Sequence, residues 1–139
     1  MIILDSNIVS ALMREEPDRV IIAWLDLQRR DLLWTTAVTI LEIQYGLAVM
    51  PMGQRRNQRL AAFGQVIVED LENRILPFDQ TAAEEAASLM ASRHRAGRSV
   101  EPRDTMIAGI ALAQRATLAT RNVRHFDDLT VPVVDPWRA

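Results

Sequence analysis

The chain has 139 residues, 49% of them hydrophobic, and no cysteine, which excludes a disordered chain, a disulfide framework and any site built on thiolates. Its formal net charge is −2, so the protein as a whole has no general attraction for nucleic acid. All 16 basic residues are arginine, which also excludes sites that need lysine, such as a P-loop or a Schiff base.

Short apolar runs alternate with segments of helical spacing along the chain. In chain order they predict a strand at 1–4, a helix at 17–30, a strand at 31–36, helices at 37–50 and 54–73, a strand at 74–78, helices at 79–97 and 102–116, and strands at 117–120 and 131–134. Helix-start and helix-stop signals accompany them at Thr35 or Thr36, Asp79, Gly97 and Pro102. This alternation predicts an α/β fold with a central, mostly parallel sheet flanked by helices, as a single domain over residues 1–139. No apolar stretch reaches the ~18 residues of a membrane span, and we expect a cytoplasmic protein.

The first apolar run ends in an acid, Asp5. In an open α/β sheet, ligands bind beyond the carboxyl ends of the strands, which is where Asp5 is expected. The simpler interpretation is that Asp5 or Ser6 only caps the following helix.

Two further acids stand in apolar surroundings. Glu42 lies within “TILEIQYG”, and burying its isolated charge would cost several kcal/mol, so it needs a partner or a raised pKa. The alternative is a buried ion pair with an arginine. Asp104 occupies the first turn of the helix predicted at 102–116, where acids are also common for purely structural reasons.

The predicted topology brings these acids to one edge of the sheet, together with Asn122. Carboxylates at such short distances repel each other: a pair ~4 Å apart does so by ~4 kcal/mol at an effective dielectric constant of ~20. A divalent cation removes this cost, and an oxygen-only ligand set favours Mg²⁺ or Mn²⁺. Such an ion activates water for phosphodiester hydrolysis.

Four motifs in order, “LDSN”, “TILEIQYG”, “PRDTMIAGIA” and “LATRNVRHF”, resemble those of PIN-domain ribonucleases, in particular the VapC/FitB-like toxins of prokaryotic toxin–antitoxin pairs. The resemblance implies a PIN-like fold, Mg²⁺- or Mn²⁺-dependent hydrolysis of RNA and a homodimer. It also implies inhibition by a small antitoxin protein, with a larger toxin–antitoxin assembly on DNA as a further expectation. Metal ligands would be Asp5, Glu42 and Asp104, which with Asn122 form the catalytic set, and the substrate-binding positions would be Asn7, Thr120 and Arg121.

Two other functions remain open at this point. One is a non-catalytic interaction module that keeps the PIN fold; the other is an aspartyl phosphotransferase or receiver-type domain, which the missing lysine disfavours. The arginine-rich stretches at 93–98 and 121–124 are interpreted as an RNA-backbone contact or a solvated face. His94 and His125 are expected to be solvated or to face RNA. The apolar run 21–27 and the region 37–73 are candidate anchors for the antitoxin.

Overall fold

The computed structural model describes residues 1–139 and contains one sheet of five parallel strands. The strands are β1 (Ile2–Leu4), β2 (Leu33–Thr36), β3 (Ile75–Leu76), β4 (Thr117–Ala119) and β5 (Val133–Val134), in the spatial order β3-β2-β1-β4-β5. In the centre, Ile3 pairs with Trp34 on one side and with Leu118 on the other. The strand order therefore reverses between β1 and β4, and such a switch point is the usual ligand-binding crevice of an open α/β sheet.

Six helices flank the sheet: α1 (Ser6–Leu12), α2 (Arg19–Asp26), α3 (Ala37–Ala48), α4 (Gln54–Gln65), α5 (Gln80–Arg95) and α6 (Pro102–Gln114). The α/β architecture with a parallel sheet is thus as predicted. No helix is long and apolar enough to cross a bilayer.

Several local predictions are confirmed and others need correction. Thr36 and Asp79 cap α3 and α5 through their side chains, and Gly97 ends α5 with a φ of 69°. The sequence interpretation assigned no range to α1, because seven residues give too little helical periodicity to recognise. The helix predicted over 54–73 changes to a single π-helical turn at Val66–Asp70, and the one predicted over 17–30 is only eight residues long.

Successive side chains of β1 point to opposite faces of the sheet, and so belong to two separate parts of the core. Leu4 packs with α1, α2 and α4 residues on one face, whereas Ile3 packs with α6 residues on the other. On the second face, α5 and α6 approach closely at Gly109: a Cβ atom there would overlap the Ala82 carbonyl oxygen and lie 2.8 Å from Ala86 Cβ. The two helices therefore approach each other so closely that only glycine fits at position 109 without displacing α5.

Candidate active site

Asp5 is the buried centre of the crevice between β1 and β4. Its side chain is fixed through both oxygens, because Oδ1 accepts the Ser6 backbone N–H at 2.8 Å and Oδ2 accepts the Thr120 hydroxyl at 2.7 Å. Burial raises the pKa of Asp5; the hydrogen bonds from Thr120 and Ser6 oppose this rise, and the charge of Asp104 adds to it. Asp5 therefore caps α1, as the simpler interpretation expected, while also presenting a carboxylate at the strand ends.

Glu42 enters the same crevice from the second turn of α3. Its Oε1 is buried and has no hydrogen-bond partner, and its Oε2 lies 3.9 Å from Arg103 Nη1. Burial is the first cause that raises the pKa of Glu42 and the charge of Asp5 the second, while Arg103 acts in the opposite direction. The arginine partner expected by the alternative interpretation exists, but it is at the limit of contact and leaves one oxygen unsatisfied.

Asp104 lies in the first turn of α6, with its carboxylate turned toward a histidine. Its Oδ2 is 2.8 Å from His125 Nδ1, and its backbone N–H donates to Glu101 Oε2 at 2.6 Å. His125 is exposed, as expected for a solvated residue, but one of its imidazole nitrogens is also engaged with a carboxylate of the site. Only 19% of the Asp104 side chain is exposed, against 57% for His125, so the imidazole lies on the solvent side of the carboxylate.

Thr120 connects the polar residues of the β4 end. Its hydroxyl donates to Asp5 and accepts from Asn7 Nδ2 at 3.3 Å and from the Asn122 backbone N–H at 3.1 Å. Thr120 is completely buried, and this leaves its side chain no surface for substrate contact. Asn7 Oδ1 accepts the Arg121 backbone N–H at 3.2 Å, and Arg121 and Asn122 are exposed at the rim.

The charge of Asp104 raises the pKa values of both Asp5 and Glu42, so the three predicted acids lie near one another. No group of three acidic or histidine side chains is close enough to hold one ion. Asp5 and Glu42 fit a hard cation because they supply oxygen donors, shifted pKa values and an unpartnered buried oxygen. Asp104 keeps one oxygen, Oδ1, free for a cation while Oδ2 contacts His125, but its carboxylate must move closer to share an ion with the other two acids.

The first residue of the arginine-rich stretch 93–98 is neither solvated nor available to RNA. Arg93 is buried and binds both carboxylate oxygens of Asp128 at 2.9 Å, and its guanidinium also donates to the His125 carbonyl at 2.7 Å. A signal in the sequence was available, because Arg93 continues the buried face of α5 formed by Ala82, Ala86 and Leu89. This arginine ties α5 to the segment that carries His125.

A groove with a volume of about 1340 Å³ lies between α1, α2 and α4, away from the acids. Leu33, the first residue of β2, lines it, so the groove opens toward the amino ends of the strands. Ile22 and Leu25 of α2 and Ala62 of α4 supply part of its apolar wall. Both regions named as candidate anchors for a partner contribute to this groove.

Comparison with known proteins identifies relatives over nearly the whole chain. The family model described as “PIN domain” matches residues 2–131. The VapC ribonuclease Y4jK of Sinorhizobium fredii is 36% identical over 137 residues, covering 99% of this chain and 98% of the relative. Toxin FitB of Neisseria gonorrhoeae is 31% identical over 137 residues and covers 99% of both. The structure of FitAB bound to a DNA fragment matches with a TM-score of 0.87 at 31% identity, over 99% of this chain and 96% of that one.

Proposed function

Because the chain belongs to the PIN-domain family, we propose that it is a metal-dependent endoribonuclease and the toxin of a toxin–antitoxin pair, acting as one domain over residues 1–139 in the cytoplasm. Relatives named as a ribonuclease and as a toxin support this proposal. The observation that carries it is the pair of Asp5 and Glu42 at the switch point of the sheet, where the charge of Asp5 raises the pKa of Glu42 and one buried Glu42 oxygen has no hydrogen-bond partner.

Asp5 and Glu42 would hold the ion, Mg²⁺ or Mn²⁺, and Asp104 would join them through its free oxygen once its carboxylate moves closer. When bound, such an ion makes water more acidic and offsets charge on phosphoryl oxygens. Thr120 and the Ser6 backbone hold the Asp5 carboxylate in one orientation before any ligand arrives, so little reorganisation is needed there. Asn122 stands at the rim, where an amide can orient water or substrate without adding charge.

Substrate contact falls to Asn7 and Arg121 rather than to Thr120. Asn7 is half-buried and its amide bridges Thr120 and the Arg121 backbone, so it sets the shape of the rim. Arg121 presents an exposed guanidinium beside the acids, which suits an RNA phosphate. Thr120 acts as a positioning residue for Asp5.

A small antitoxin is the proposed inhibitor. Its apolar anchor would fill the groove between α1, α2 and α4, and an extended segment would bring an arginine to the acids. Arg103 of the chain itself stands 3.9 Å from Glu42, in keeping with the attraction of this pocket for a guanidinium. The related FitAB complex on DNA supports a toxin–antitoxin assembly of this kind.

A homodimer is proposed through the exposed face of α3. Leu41, Tyr45 and Val49 are spaced one helical turn apart and are 57%, 62% and 64% exposed. Such a continuous apolar stripe is uncommon on a surface that faces only water.

The test is cleavage of purified RNA by the wild-type protein and by Asp5→Asn and Glu42→Gln, with and without EDTA. We expect cleavage by the wild type in Mg²⁺ or Mn²⁺, and loss of cleavage in either variant or in EDTA. Glu85→Gln is the matched control, because Glu85 is an exposed acid on α5. A folded wild-type protein that cleaves no RNA with either metal would favour the non-catalytic PIN module.

A further inference from the structure

Trp137 lies beneath the side chain of Arg121, at the rim of the pocket formed by Asp5, Glu42 and Asp104 (the acid pocket). The Arg121 guanidinium carbon is 4.4 Å from the centroid of the Trp137 ring, a distance typical of cation–π stacking. Arg121 directly follows Thr120, whose hydroxyl binds Asp5. The stacked pair therefore borders the carboxylates, although residue 137 lies beyond the four motifs that define them.

The indole ring is held in place from its other side. Trp137 Nε1 donates to Asp18 Oδ2 at 3.0 Å, and the Trp137 backbone N–H donates to Asp135 Oδ1 at 2.9 Å. Asp18 is itself fixed, since its Oδ1 caps α2. The hydrogen bond from Trp137 is the main cause that lowers the pKa of Asp18, so the acceptor is ionised at neutral pH. The ring is thus a rigid platform between α2 and the β4 end.

The guanidinium on this platform is not neutralised by an acid. Three other arginines in this part of the molecule are paired with acids: Arg93 with Asp128, Arg98 with Asp127, and Arg103 with Glu42 and Glu101. Arg121 makes no salt bridge, and only its backbone N–H is hydrogen-bonded, to Asn7 Oδ1. An arginine whose guanidinium is stacked on a ring and whose side-chain N–H groups are free is prepared for an anion, because less side-chain entropy is lost on binding.

We propose that Arg121, stacked on Trp137, is a phosphate subsite for the RNA backbone next to the acid pocket, with Trp137 as its positioning residue. This inference rests on the proposed function. A phosphate approaching Asp5, Glu42 and Asp104 meets like charge, and a fixed cation at the rim offsets that repulsion. The ring holds the guanidinium in place and does not itself contact RNA.

The experiment measures binding of a fluorescently labelled single-stranded RNA oligonucleotide in EDTA, where it stays intact, at several salt concentrations. The variants are Arg121→Gln, Trp137→Leu, Trp137→Phe and the double variant Arg121→Gln/Trp137→Leu. Arg115→Gln is the matched control, because Arg115 is exposed, unpaired and at the opposite edge of the sheet, just before β4.

We expect Arg121→Gln to bind about tenfold more weakly and to lower the slope of log affinity against log salt by about 0.7, the value for one single-strand phosphate contact. Trp137→Leu should weaken binding in the same direction. Trp137→Phe should stay near the wild type, because it keeps a ring for Arg121 while losing the bond to Asp18. In the double variant, Trp137→Leu should add nothing to Arg121→Gln.

Three results would overturn the subsite: a wild-type affinity and salt slope for Arg121→Gln, an effect of Trp137→Leu that persists without Arg121, or equal losses in both Trp137 variants. Thermal melts identify any variant that does not fold; should Trp137→Leu be one, Trp137→Phe and Arg121→Gln still decide the matter. Cleavage assays with metal should show the Arg121→Gln defect in KM rather than in kcat. If the wild type cleaves RNA and Arg121→Gln binds RNA as well as the wild type does, only the subsite is refuted. If the wild type cleaves no RNA, the proposed function is refuted.

Discussion

The negative charge of Asp5 reduces folding stability when no cation is present, because the side chain is buried near Glu42 and Asp104. Asp5→Asn removes this charge and keeps an oxygen that can accept the Ser6 N–H. We therefore expect the variant to lose RNA cleavage while its Tm in EDTA equals or exceeds that of the wild type. Added Mg²⁺ should raise the Tm of the wild type more than that of the variant. Thermal melts with and without Mg²⁺ make the comparison, and a large fall in Tm in EDTA would mean that capping is the main role of Asp5.

Glu42 gives a prediction about pH. Its pKa is raised in the folded protein, so the folded state holds a proton more tightly than the unfolded chain does. Stability of the metal-free protein should therefore increase as pH falls from neutral through the raised pKa of Glu42, and Glu42→Gln should reduce this gain. Urea unfolding at several pH values in EDTA measures it. If Glu42→Gln is instead strongly destabilised at neutral pH, the contact with Arg103 is a structural ion pair.

At the scale of elements, Arg93 joins α5 to the segment after β4 through its paired bonds to Asp128. Arg93→Met should destabilise the protein by about 3 kcal/mol, because the partly buried Asp128 loses both of its 2.9 Å bonds and keeps only the 3.4 Å contact with Arg98 Nη1. The bond from Arg93 lowers the pKa of Asp128, so its stabilising effect is complete above the unfolded pKa and is lost as pH falls through the folded one. The deficit of Arg93→Met should therefore shrink in acid, and urea unfolding from neutral to acid pH tests this. If the loss of unfolding free energy in Arg93→Met does not change with pH, the loss comes from packing alone.

Gly109 permits the close approach of α5 and α6. Gly109→Ala should destabilise by about 1–3 kcal/mol, since the new Cβ must push against the backbone of α5 at Ala82. Gly46 is the matched control: it is also helical, and a Cβ there would meet nothing within 4 Å. Gly46→Ala should be neutral or stabilising, because alanine favours helix. Equal Tm values for the two variants would show that α5 and α6 separate at little cost.

Across the whole molecule, the groove and the acid pocket lie toward opposite edges of the sheet. An inhibitor that uses both must span the protein, so blocking the groove should release inhibition without affecting the acids. Ala62→Trp, which fills the groove from α4, should keep RNA cleavage and lose co-purification with the antitoxin. Co-expression with the neighbouring small open reading frame tests this. An Ala62→Trp protein that still binds the antitoxin normally would place the anchor elsewhere.

Local patterns predicted the layers of this fold and the neighbourhood of Asp5, Glu42 and Asp104. The position of residues at strand ends can be predicted from the sequence, because the carboxyl ends of parallel strands in α/β units meet at one edge of the sheet. The orientation of a side chain cannot be predicted in this way. No neighbouring residues in the sequence indicate that Asp104 turns to His125, or that Thr120 is buried beneath Asp5. The stack of Arg121 on Trp137 also escaped the sequence interpretation, because it depends on how the segment after β5 packs on α2.

The position of β1 has a consequence for how the protein is made. β1 is the first strand of the chain to be synthesised, yet its neighbour β4 comes more than a hundred residues later, and Asp5 meets the Thr120 hydroxyl across a separation of 115 residues. A chain still growing on the ribosome has neither β4 nor the complete set of acids in place. If the proposed function holds, the nascent chain should therefore cleave no RNA until β4 has emerged, and an inhibitor would need to capture only the finished protein.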